Sequence, residues 1–126
     1  MKTQKIYTQH EENKEWASGL AFYKDEIKIM EKRLDEIVSK NTAKDILILV
    51  EHFQNQLIIQ KDQIAQINHT LNLNNDAINC NINKNCVAVD HRSKEDHALI
   101  KEQVKSFVRI FHFFKFDYNT FLKKWM

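Results

Sequence analysis

The residues best suited to chemistry in this 126-residue chain are its six histidines. Helical di-iron and di-manganese centres are built from Glu-x-x-His, His-x-x-x-His or His-x-x-x-Glu on one face, because those spacings make two ligands converge. Three residues before the histidines stand Tyr7, Leu49, Gln66, Ala88, Lys94 and Arg109, with no carboxylate among them. Four residues after stand Lys14, Gln56, Leu73, Glu95, Lys101 and Phe116, so only His91 with Glu95 has the required spacing. A ferritin-like centre is therefore not expected. What remains is a cluster of His91, Glu95, Asp96 and His97 that could hold a divalent metal or handle a proton. The same residues have a plainer use, which is preferred: Asp96 complements the dipole of a helix start and His97 opens an apolar seam.

Other chemistries lack their parts. Cys80 and Cys86 are six apart, without the Cys-x-x-Cys pairing or further ligands of a zinc site. Ser18, Ser39, Ser93 and Ser106 stand in no nucleophile elbow or Ser-x-x-Lys context. A phosphate-cradling loop needs several glycines, and the chain has one, Gly19. No cofactor is expected. The run Phe111-His112-Phe113-Phe114-Lys115-Phe116-Asp117-Tyr118 interleaves aromatic and basic residues as a single-strand nucleic-acid platform does. At helical spacing, however, aromatics belong more often to a core, and nucleic acid is not an expected partner.

The elements that must position these residues are helices. One glycine and no proline leave almost nothing for the tight turns of hairpins, sandwiches or Rossmann folds. Hydrophobic residues at 43% and charged residues at 29% suit a folded helical protein rather than a disordered one. Lys plus Arg is 19 against 17 for Asp plus Glu, a net charge of +2 and too small to demand a polyanion or membrane partner. The longest aliphatic run, Ile46-Leu47-Ile48-Leu49-Val50, falls far short of the ~20 residues of a membrane span. The first sixteen residues have no apolar stretch resembling a secretory signal, so a cytoplasmic protein with reduced thiols is expected.

Three stripes with alternating steps of three and four define the helices. The first is Trp16, Leu20, Tyr23, Ile27, Met30, Leu34, Ile37, and Thr8-Gln9-His10-Glu11 reads as a capping box that starts its helix. The second is Ile46, Val50, Phe53, Leu57, Gln60, Ile64, Ile67, Leu71, with Gln60 the one polar member and Thr42 the predicted N-cap. Seven of the fourteen residues 72–85 are Asn, a poor helix former, yet Ile78 and Ile82 keep helical spacing and favour a helix running to about Asn83, the alternative being a long loop over residues 73–90. Cys86 to Asp90 reads as the second connection, with Ser93 or Asp90 capping the third helix. The third stripe is His97, Ile100, Val104, Phe107, Phe111, Phe114, Tyr118, Phe121, Trp125. The prediction is a single all-α domain over residues 1–126, an up-down-up bundle of three long antiparallel helices with coiled-coil-like packing. His52 and His69 fall on outer positions and His112 beside the seam.

The strings Phe22-Tyr23-Lys24-Asp25-Glu26-Ile27-Lys28 with Arg33-Leu34, Glu51-His52-Phe53-Gln54-Asn55-Gln56, and Asp90-His91 with Asp96-His97 resemble those of a set of small bacterial all-helical proteins of unknown function. The resemblance implies an all-α fold and no particular activity, and it draws attention to Glu51-His52 and Asp96-His97 as sites.

Several large apolar residues lie outside the seams. Folding the chain at its two turns puts Phe22, Ile58, Ile59, Phe113 and Phe116 at a similar height, as in an interface belt. The expected function is non-enzymatic protein–protein contact, as a homodimer or higher homo-oligomer. The alternative is a metal- or small-ligand-binding bundle using His91, Asp96 and His97, with Glu51 and His52 as further candidates.

Overall fold

The computed structural model describes residues 2–84 and 87–125, and the side chains of residues 8–76 and 96–125. Three helices account for almost all of them: α1 (Lys2–Lys40), α2 (Lys44–Lys84) and α3 (Val87–Trp125), with no strand among the described residues. Paired groups give the register. Asn13 meets Asn74 and Asn75, 61 and 62 residues on, while Ile37 and Ile46 flank the first turn, so α1 and α2 run antiparallel. Glu26 meets Lys115 and Met30 meets Tyr118, at nearly constant separations of 89 and 88 residues, so α1 and α3 run parallel. The chain is an up-down-up three-helix bundle.

All three stripes face inward. Leu20, Ile27, Leu34, Ile37, Val50, Leu57, Ile64, Leu71, Ile100, Phe111 and Tyr118 are almost wholly excluded from water. Trp16, Tyr23, Val104 and Trp125 pack half-buried at the edges of the core. The half nearer the first turn is aromatic: Phe53 of α2 meets Phe121 at 4.9 Å, Phe114 at 5.8 Å and Tyr118 at 6.0 Å between ring centroids. Tyr23 of α1 meets Phe111 at 4.8 Å and Phe107 at 5.6 Å, so rings rather than small side chains fill the space between α1 and α3. Such offset and edge-on pairs add to the burial of the rings themselves.

The first turn is capped from both sides. The backbone amide and the side-chain amide of Asn41 both donate to the carbonyl of Ile37, at 3.0 and 2.9 Å, closing α1. The amide of Leu47 donates to the carbonyl of Ala43 at 3.1 Å, opening α2, and Asp45 places a carboxylate in its first turn. The cap therefore sits at Ala43, one residue beyond the predicted Thr42.

Two expected boundaries are corrected. α1 begins at Lys2, so Thr8-Gln9-His10-Glu11 lies within the helix rather than at its start. α3 begins at Val87, so residues 87–90 of the stretch read as a connection are helical, Cys86 lies outside the described residues, and both Asp90 and Ser93 lie inside the helix. The reason is shared. Extending a formed helix by a residue adds one hydrogen bond for one ordered residue, and with no Gly or Pro in either stretch a local capping preference does not stop it. The Asn-rich stretch is helical as expected, with α2 continuing to Lys84.

Candidate functional site

His97 is the histidine in a built environment. It opens the α3 seam and is 9% exposed. Its ring lies 4.8 Å from that of Trp16, tilted by 33°. Its Nε2 is 3.5 Å from a carboxylate oxygen of Glu12, near enough for charge attraction, yet neither ring nitrogen has a hydrogen-bond partner. Burial lowers the imidazole pKa below 6.5, the Glu12 carboxylate opposes that shift, and Lys101 reinforces it. The ring is therefore neutral at neutral pH.

The partners predicted for it do not gather around it. Asp96 is adjacent in sequence and so points about 100° away around the helix. His91 and Glu95 lie outside the residues whose side chains are described. Glu51 and His52 are exposed on α2, and the His52 ring rests on Phe53, whose partner Phe121 is about 35 Å along α3 from His97 at 1.5 Å per residue. Among the described residues, no group of three His, Cys, Asp or Glu side chains could hold a metal. Cys80 and Cys86 lie outside the described side chains.

A polar layer not foreseen from the sequence lies beside His97. Asn13 is 1% exposed, and its side-chain amide donates to the Oδ1 atoms of Asn74 and Asn75, both at 2.9 Å. Asn13 stands three residues before Trp16 and Asn74 three after Leu71, so both continue the stripes by one step. The pattern was visible. Their polarity hid it, since a stripe is recognised by its apolar members. Buried Asn at such positions fixes the pairing register of helices at some expense of stability.

The five residues predicted to form a belt are all exposed, Phe113 and Phe116 by 71% and 72%. Phe113 and Phe116 line a shallow depression on α3 with Arg109 and His112. Phe22 lies edge-on to Tyr23 at 5.8 Å, and His112 contacts the same Tyr23 ring at 6.3 Å, which brings Phe22 close to this depression. Ile59 belongs elsewhere, in a groove between α2 and α3 with Leu99 and Ile110. Ile58, one residue away, is turned about 100° from it.

No helix among the described residues is long and apolar enough to cross a membrane. No known protein family, curated protein or solved structure matches the chain.

Proposed function

We propose that this protein is a non-enzymatic cytoplasmic helical bundle that acts through protein–protein contact and self-associates as a homodimer or higher homo-oligomer. The observation supporting this reading is the exposure of large apolar side chains. Phe22, Ile58, Ile59, Phe113 and Phe116 are each half or more exposed. Groups of such residues on a soluble surface mark interaction sites, because covering them removes apolar area from water. The experiment is the solution mass by light scattering of the wild type and of a Phe113→Asp, Phe116→Asp variant. The wild type is expected to be oligomeric and the variant to dissociate while staying helical. A wild type that remains monomeric at micromolar and higher concentrations overturns the proposal.

A second reading, ligand binding around His97, is favoured by a buried ring beside Trp16 whose Nδ1 has no hydrogen-bond partner and whose Nε2 meets the Glu12 carboxylate at 3.5 Å. Metal analysis of the purified protein tests it, and a metal-free protein whose melting ignores a chelator removes the metal form of that reading.

A further inference from the structure

The groove between α2 and α3 is set apart by its composition. The chain is 29% charged, yet this groove is almost free of charge. On α2 a second line runs in steps of three and four from Leu49 through Gln56, Ile59 and Gln63 to Leu73, with no Asp, Glu, Lys or Arg at any of its positions. On α3 a matching line runs from Leu99 through Gln103 and Ser106 to Ile110. Ile59, Leu99 and Ile110 are each at least half exposed along the groove, and Glu102 is the single charged residue lining it. Loss of charge at the centre, with apolar residues kept, is the compositional mark of an interface core.

The floor of the groove carries a second sign. Gln60, the polar member of the α2 seam, lines it. Gln60 is 3% exposed, and its Oε1 has no hydrogen-bond partner. A buried acceptor without a donor is costly, and a donor brought into the groove would remove that cost.

We infer that this groove is the face through which two copies of the chain pair, antiparallel about a dyad passing near Gln60 and Ser106. The inference rests on the self-association reading and narrows it to one face. Three features select a second copy as the occupant. A dyad sets a surface against itself, so any charge at its centre meets its own sign; a face of Gln, Ser and aliphatic residues avoids this. Gln both donates and accepts, so Gln60, Gln63 and Gln103 can pair with the same residues of a symmetry mate. The groove also lies midway along α2 and α3, so a dyad there overlaps both helices over nearly their whole length. Two α2–α3 hairpins packed this way form a four-helix layer with α1 of each copy outside it.

The test is sedimentation velocity of three full-length chains: the wild type, an Ile59→Glu, Ile110→Glu variant and a Phe22→Asp, Ile58→Asp variant. The expected result is a dimer for the wild type, a shift to monomer for the groove variant, and a retained dimer for the other. A dimeric wild type whose groove variant stays dimeric overturns the groove assignment and leaves self-association standing. A monomeric wild type overturns both. Should the groove variant lose its helical circular dichroism, Gln103→Cys in a Cys80→Ser, Cys86→Ser background decides. A short-arm bismaleimide then gives a covalent dimer if the faces pair, and its absence overturns the assignment.

Discussion

Removing the Tyr118 hydroxyl tests the aromatic half of the core, and its effect should change sign with pH. Tyr118 is 2% exposed, and its hydroxyl donates to the carbonyl of Met30 at 3.0 Å, tying α3 to α1. Burial pushes the phenol pKa up from 10.0 to about 12; Arg33 opposes that shift and Glu36 adds to it. Below pH 10, Tyr118→Phe loses one buried hydrogen bond, a loss of about 1 kcal/mol. Above pH 10 the unfolded chain ionises Tyr118 while the folded chain keeps its proton. The unfolded state then binds fewer protons, and the wild type loses stability as pH rises through the folded-state pKa. Two units of displacement correspond to as much as ~2.7 kcal/mol. The wild type is therefore the more stable protein at about pH 8 and the less stable one above about pH 11. Urea unfolding of both chains followed by far-UV circular dichroism reads this directly, because lysine titration acts on both and cancels in the difference. A stability difference that is flat with pH would refute the burial of the hydroxyl, and no difference at about pH 8 would refute its bond to Met30.

Three further outcomes are expected. Gly19 lies inside α1 with nothing within 4 Å of where a Cβ would sit, so Gly19→Ala should stabilise the protein by ~0.5–1 kcal/mol in thermal melts. Phe111 is fully buried between Tyr23 and Phe114, and Phe111→Ala should reduce stability by about 3–5 kcal/mol in denaturant titrations. His97 is held neutral by burial, so the unfolded chain takes up the proton first as pH falls below 6.5 and wild-type stability declines there. His97→Leu should melt at the same or a higher temperature at neutral pH and lose that acid-side decline; a lower melting temperature at neutral pH would show that the ring is needed.

The three seams were legible from Trp16 to Trp125 because burial repeats with the helix, and a step of three or four recurs whatever apolar side chain fills it. Helix ends were less legible. Thr8, Thr42 and Ser93 have good capping chemistry, but a cap is worth about 1 kcal/mol, and uninterrupted extension of a long packed helix outweighs it at Thr8 and Ser93. The polar layer of Asn13, Asn74 and Asn75 escaped because polar members of a stripe look like its end. The five-residue belt follows from height along the bundle alone. Height places Ile58 and Ile59 together, whereas the angle around α2 separates them, and only the packed helices show that Ile59 shares a groove with Leu99 and Ile110. The His97 surroundings needed Glu12 and Trp16, which lie on another helix and more than eighty residues away.

Self-association is the claim on which the functional account stands, and the mass of the wild-type chain in solution tests it most directly. Light scattering across a micromolar concentration series should give at least twice the mass of one chain, falling toward a single chain only on dilution. A mass of one chain at every concentration would contradict the account.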